Sequence, residues 1–326
     1  MSKKIKEQKK DSILSSIKNW IISIVLACIM FFGLQCYSIT SSLRFAQVSD
    51  VHFYTGKSNT TYKMIGRSGE ILNDVVEQIN STMNVSFVMF TGDLIDKAFE
   101  KELSAFLPYT EKLNVPWYFT FGNHDTMIGG YLTPSVYMQL VNKHNKNYKF
   151  EKTYYSFVPQ KGYKAIVLDT IIRDKLTANG RIGDEQLKWL DNELQNSKDD
   201  IVLIFMHVPV LEPFNSPNHR LLDADKMQEI LNKYKNPIAI FQGHYHSAKL
   251  TQKENIVYVS CPSLVTYPNA FRMITITNYR KKVVINIENK ETRLKNIQKL
   301  AKILVFTPTV YSGEAKDQNA TFVIKK

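Results

Sequence analysis

The residues of this chain best suited to chemistry are five histidines and the carboxylates beside them. Of seven histidines in 326 residues, His52, His124, His207, His244 and His246 fall in short motifs that follow apolar, strand-like runs. Residues 45–49 lead into Asp50-Val51-His52, 87–91 into Gly92-Asp93, and 117–121 into Gly122-Asn123-His124-Asp125. Residues 201–206 lead into His207, and 238–242 into Gly243-His244-Tyr245-His246. Asp, Asn and His offer oxygen and imidazole donors, a set suited to Mn, Fe or Zn, and the absence of thiolates disfavours Cu(I). Side chains alternate along a strand, which predicts that Asp50 and His52 aim at one target and that His244 and His246 repeat the geometry. Gly92, Gly122 and Gly243 each precede a polar residue, where the chain must turn sharply and backbone must approach closely. Left partly buried without partners, these groups would be costly; gathered around metal ions they are not. His144, among lysines and asparagines, reads as a surface residue, and His219 stands outside the pattern.

Such residues meet only if their strands end along one edge. In open α/β sheets ligands bind beyond the carboxyl ends of the strands, so five strands ending in polar motifs predict one crevice. Strand-like runs at 44–49, 87–91, 117–121, 164–168, 201–206 and 238–242 alternate with helical patterns at about 69–79, 98–112, 135–143, 184–194 and 223–234. This alternation predicts an α/β domain with helices covering the sheet faces. Asp184 is the expected cap of a helix whose Leu187, Leu190 and Leu194 share one face. Strands are expected at 256–260, 272–277 and 283–288, then a helix over 291–304 and a strand-forming tail from Thr307 with no assigned function.

With these residues in view, the series resembles the calcineurin-like metallophosphoesterase superfamily, which carries D-x-H, G-D, G-N-H-[DE], H and G-H-x-H at successive strand ends. The resemblance covers about 44–289 and implies a four-layer α/β/β/α sandwich with a dinuclear metal centre. It assigns Asp50, His52 and His246 to a first metal, Asn123, His207 and His244 to a second, and Asp93 to both. The ions, Mn, Fe or Zn, would clamp an in-line displacement by a bridging hydroxide. His124 would assist the leaving group. Asp96 matches the position where protein-phosphatase relatives keep a carboxylate that orients this histidine; its alternative role is to cap a helix before Ala98.

Departures from the pattern narrow the subfamily. Purple acid phosphatases have a tyrosine ligand three residues after the bridging aspartate, where this chain has Asp96. Serine/threonine phosphoprotein phosphatases continue with Asp-Arg-Gly, where this chain has Asp96-Lys97-Ala98; Lys97 offers a point charge in place of a planar fork. The stretch 180–190 looks like a segment of bacterial cyclic-nucleotide-phosphodiesterase-like and acid-phosphatase-like members, and its Trp189 and Leu190 read as packing residues. Substrate choice is left to loops carrying Tyr54, Tyr62, Arg67, Tyr131, Arg173, Arg181 and His219, whose aromatics and arginines would suit a nucleotide-like phosphate ester.

Composition bounds the rest. The chain is 44% apolar and 22% charged with net charge +12, which fits a globular protein and excludes disordered or collagen-like classes. Outside the N-terminus no Lys/Arg run is dense enough for a nucleic-acid module, so no specific nucleic-acid binding is expected. Of three cysteines, Cys28 and Cys36 share one apolar segment and Cys261 stands alone, which excludes an internal disulfide or a cysteine zinc site in the following domain. Lys3, Lys4, Lys6, Lys9, Lys10 and Lys18 crowd the leader, and residues 19–43 carry no charge. By the positive-inside rule this predicts a cytoplasmic leader at 1–18 and a transmembrane anchor at 19–40 flanked by Trp20 and Tyr37. The metallophosphoesterase domain, at 43–290, is then extracytoplasmic, with a C-terminal helix and tail at 291–326 packed on it. A cleaved signal and secretion form one alternative for the segment, and a buried core helix another. The expected activity is hydrolysis of small phosphate esters, a phosphodiesterase in preference to a phosphomonoesterase, with an inactive binding module of the same fold as the alternative from another class.

Overall fold

Apolar runs of β-branched and aromatic residues alternate with amphipathic stretches, and the computed structural model turns them into two sheets with helices outside. It describes residues 15–30 and 38–326. The strands are β1 Ile39–Val48, β2 Phe87–Thr91, β3 Trp117–Thr120, β4 Tyr155–Gln160, β5 Tyr163–Val167, β6 Ile201–Phe205, β7 Ile238–Gln242, β8 Lys249–Lys253, β9 Ile256–Ser260, β10 Ala270–Tyr279, β11 Lys282–Glu291 and β12 Asn319–Lys325. The helices are α1 (15–30), α2 Ser68–Asn80, α3 Glu100–Thr110, α4 Asn123–Thr126, α5 Pro134–His144, α6 Asp184–Asn196, α7 Ala224–Leu231, α8 Lys295–Leu304, α9 Pro308–Ser312 and α10 Ala315–Gln318.

One sheet runs β12-β11-β10-β1-β2-β3 and the other β4-β5-β6-β7-β9-β8. β1, β2 and β3 are parallel, as are β5, β6, β7 and β9. Their carboxyl ends supply all five motifs. The sheets meet through aromatic rings: Phe45, stacked on its same-sheet neighbour Phe87 at 4.8 Å, meets Phe205 and Phe241 of the other sheet edge-on at 5.7 and 5.1 Å. Each such pair adds about 0.5–1.5 kcal/mol beyond its buried area. α2 covers the first sheet with Ile71, Leu72, Val75, Val76 and Ile79, the three-to-four spacing of a buried helical stripe.

Several local expectations are corrected. Ile39 and Thr40, expected within the anchor, belong to β1, where Ile39 pairs with Tyr279; β-branched residues extend the ladder. The lysines of residues 1–14, together with 31–37 and hence Cys36 and Tyr37, lie outside the described residues. α1 is exposed along its length, and among the described residues no helix is long and apolar enough to cross a membrane. The helix expected from 291 starts at Lys295, because Glu291 still pairs with Ala270 in the sheet. α6 starts after Gly183, at φ +84°, while Asp184 reaches Lys226 and caps nothing. Trp189 is half-buried against Tyr154, ring centres 4.9 Å apart. β4 and β8 escape an apolar-run reading because they are edge strands with polar or half-exposed side chains.

Candidate metal centre

The five motifs meet at one end of the sandwich, by a different route from the one that strand alternation predicts. β1 ends at Val48 and β7 at Gln242, so the ligand pairs lie beyond the pleat. Asp50, His52, Asp93, His244 and His246 instead have φ of +51°, +43°, +53°, +71° and +55°. This left-handed region is uncommon for side-chain-bearing residues and costly to hold, and it turns each donor inwards. Neighbouring loops hold the turns: Asp50 N–H donates to Gly92 O at 3.1 Å and His52 N–H to Asp93 O at 2.9 Å.

Glycine is required where these loops touch. Gly92 itself has φ +86°. A Cβ at Gly122 would lie 2.1 Å from both the backbone nitrogen and Oδ1 of Asp93. Gly122→Ala therefore displaces Asp93, and metal affinity is expected to fall about 10–100-fold, the effect of disturbing a ligand's support. Calorimetric titration with Mn, alongside circular dichroism to confirm the fold, checks this.

Asp50, His52, Asp93 and His246 form one buried donor group, and Asp93, His207 and His244 form a second. Asp93 belongs to both: its Oδ2 lies 3.5 Å from His52 Nε2 and 3.5 Å from His207 Nε2. His52 Nε2 is 3.1 Å from His246 Nε2, and His246 Nε2 is 3.4 Å from Asp50 Oδ1. On the other side His207 Nε2 lies 3.1 Å from His244 Nδ1 and 3.3 Å from Asn123 Oδ1. An ion bonded at about 2.1 Å sets neighbouring donors roughly 3.0–3.4 Å apart, so the set fits metal. All seven residues expected as ligands are brought together.

The ring nitrogens turned away from the centre mostly have partners, as metal-ligating histidines require. His207 Nδ1–H donates to Thr91 O at 2.8 Å, and His246 Nδ1 lies 3.0 Å from Thr266 Oγ1. His52 Nδ1 is 3.2 Å from Asp96 Oδ1. This sets Asp96 between two histidines and removes its alternative role. α3 begins only at Glu100, so Asp96 caps no helix. Its carboxylate supports His52 and lies 3.9 Å from His124 Nδ1, while its backbone carbonyl accepts from His124 Nδ1–H at 2.7 Å. His124 Nε2 is thereby left for a substrate.

Burial lowers the pKa of His52, His124 and His244, which favours the neutral imidazole that can share a lone pair. Burial alone would raise Asp93, but His207 and His124 hold it well below the usual carboxylate range. The reverse holds at His207: burial opposes the charged ring, yet the Asp93 carboxylate pushes it up to about 9.

Sequence reasoning missed three contributors. Asp125 is fully buried, accepts from Leu94 N–H at 2.9 Å and Gly122 N–H at 2.8 Å, and so ties the Asp93 loop to the His124 loop. Burial, then the nearby Asp93 charge, pushes its pKa up to about 7. Its signal was available: a carboxylate three residues after Gly122 closes a capping arrangement on α4. Lys63 is 8% exposed with Nζ 3.2 Å from His52 Nε2, and nothing around it in sequence marks it. Tyr311 comes from the tail.

Of the loop candidates, Tyr62 and His219 line the cavity over the centre. Arg67 pairs with Glu70 at the surface, Arg173 binds Asp169 at 2.7 Å, and Tyr131 and Arg181 are exposed. Lys97 lies over the Tyr54 ring at 5.4 Å and is not among the cavity-lining residues. His144 is a surface residue bound to Glu111 at 2.7 Å.

Comparison with known proteins agrees with this geometry. The chain is 26% identical over 231 residues to a probable glycerophosphodiester phosphodiesterase of Arcobacter nitrofigilis, covering 67% of this chain and 77% of that one. It is 27% identical over 248 residues to the tartrate-resistant acid phosphatase type 5 of Oryctolagus cuniculus, covering 66% and 70%. Its fold matches a dimetal phosphatase from Danio rerio with a TM-score of 0.59 at 18% identity, over 77% of this chain and 96% of that one. The calcineurin-like phosphoesterase profile matches residues 43–248. With that span covering most of the chain, this metallophosphoesterase belongs to the calcineurin-like phosphoesterase family.

Proposed function

We propose that the chain hydrolyses small phosphodiesters at a dinuclear centre, with Asp50, His52 and His246 on one ion, Asn123, His207 and His244 on the other, and Asp93 between them. The observation that carries this reading is the single Asp93 oxygen at 3.5 Å from a ring nitrogen of each donor group. Bound there, divalent ions supply Lewis acidity towards phosphoryl oxygens and lower the pKa of water. His124, oriented by the Asp96 carbonyl, delivers a proton from Nε2 to the leaving oxygen as the doubly protonated ring, the form that the Asp93 and Asp96 carboxylates favour against burial. Asp96 is a positioning residue for His52 and His124. Mn, Zn or Fe suits these donors; an iron-tyrosinate centre does not, because the residue in the tyrosine's place is Asp96, engaged with His52 Nδ1.

Lys63 supplies the cation for a non-bridging phosphoryl oxygen that the arginine of protein phosphatases would otherwise provide. Lys63→Met is expected to weaken inhibition by inorganic phosphate about tenfold, the scale of one charge-assisted hydrogen bond, with metal content unchanged. Phosphate inhibition curves and elemental analysis check it.

A diester is favoured by the missing arginine and by similarity to the Arcobacter phosphodiesterase. The second reading, a phosphomonoesterase, draws on similarity to the rabbit acid phosphatase. The presence of all seven donors weighs against an inactive binding module. The lysine-rich leader and the exposed apolar α1 support placing the domain outside the cytoplasm, held by its N-terminal segment or released by cleavage. Protease added to intact cells should then reach the domain without permeabilisation.

With full-length protein in detergent and added Mn, bis(p-nitrophenyl) phosphate should turn over faster than p-nitrophenyl phosphate. The opposite order selects the monoesterase. No turnover of either ester with Mn bound contradicts both.

A further inference from the structure

We propose that the C-terminal segment builds one wall of an aromatic slot through which this site takes phosphate esters bearing a planar ring, nucleotides being the substrate class. This deepens the phosphodiesterase reading and rests on it. The cavity over the metal centre measures about 370 Å³, within the range of small-ligand sites. Tyr62 and Tyr311, whose charges would interact, line it together with Phe214, His219 and Tyr245, the last two in ring contact with His244. Phe214 packs on Tyr245 at 4.9 Å and His219 on His244 at 5.3 Å, so the second wall is a continuous aromatic group. Tyr62 and Phe214 remain 39% and 38% exposed, leaving ring surface for a ligand. Stacking on such rings tolerates any base, because every base has a π-face.

Tyr311 is held in place by its own segment. Ala248 N–H donates to Tyr311 O at 2.8 Å and Ser247 Oγ–H to Val310 O at 2.5 Å, which stitches α9 to the residues just after His246. Gly313, at φ +70°, passes so close that a Cβ would lie 2.3 Å from Ala248 O. Asp317 is fully buried beyond it, accepting from Leu250 N–H at 3.1 Å and Lys249 Nζ at 3.3 Å. The buried Arg272 donates to the Asp317 carbonyl at 2.9 Å. α9 and α10 thus form a strap fixed to the ligand loop at one end and continued into β12 at the other, which is an expensive way to build a tail that does nothing.

The test uses full-length protein with Mn and two diesters with one leaving group, thymidine 5′-(p-nitrophenyl phosphate) and methyl p-nitrophenyl phosphate. The ratio of their kcat/KM values should fall about tenfold in Tyr311→Leu and in Tyr62→Leu, and return in Tyr311→Phe. Adenosine 5′-monophosphate should bind about tenfold more weakly to both leucine variants at unchanged Mn content. An unchanged ratio, or unchanged nucleotide affinity, overturns the proposal. If neither diester is cleaved with Mn bound, the hydrolase reading fails by itself and nucleotide affinity alone decides the slot. Should Tyr311→Leu not fold, Tyr62→Leu, on another segment, carries the same comparison.

Discussion

In Asp93→Asn, diester turnover falls by more than about 10³-fold, a loss larger than one removed electrostatic stabiliser usually causes, and the protein no longer retains both ions. Asparagine keeps the shape of the side chain and can still accept from His124 N–H, which meets Asp93 Oδ1 at 2.8 Å. The change therefore removes charge more than structure. Without a carboxylate between them, two neighbouring cations repel with nothing to offset the repulsion. Elemental analysis after gel filtration, set beside the circular dichroism of the variant, measures this. Two retained ions and near-normal turnover would show that Asp93 is not shared.

His124→Ala lowers kcat on an alkyl diester with a poor leaving group about 10²–10⁴-fold, the range of general acid catalysis. On nitrophenyl diesters the loss is much smaller, because that leaving oxygen departs without a proton. The plot of log kcat against leaving-group pKa should steepen in the variant. Equal losses across the series would assign His124 to binding. Asp96→Asn tests its support: the Asp96 carbonyl remains available to His124 Nδ1, so the leaving-group slope should hold, while the lost carboxylate beside His52 Nδ1 weakens metal binding about 10–100-fold.

Much of this was legible in the amino-acid order because central strands advertise themselves. β2, β6, β7 and β9 are buried throughout and read as apolar runs, and each donor motif follows such a run or its equivalent. Which donors converge was legible too; how they converge was not. Alternation along a strand gave the right pairs for the wrong reason, since Asp50 and His52, like His244 and His246, reach the centre through left-handed backbone beyond the strand ends. Only tertiary contacts stabilise that conformation, and no local pattern announces it. Asp96 was assigned by analogy to His124, which its backbone carbonyl meets, but the nearer contact of its carboxylate, with His52, had no sequence signal. Lys63 and Tyr311 were invisible because a cavity wall has no period: one sits in an irregular loop, the other in a tail far along the chain. The edge strands β4 and β8 were lost for the opposite reason, their polar faces leaving no apolar run to read.

The most direct measurement of the central claim is electron paramagnetic resonance of the full-length protein titrated with Mn. The account predicts the exchange-coupled spectrum of a pair, replaced in Asp93→Asn by the six-line signal of isolated ions. A wild-type protein that shows only isolated ions at saturation, or binds none, would contradict it.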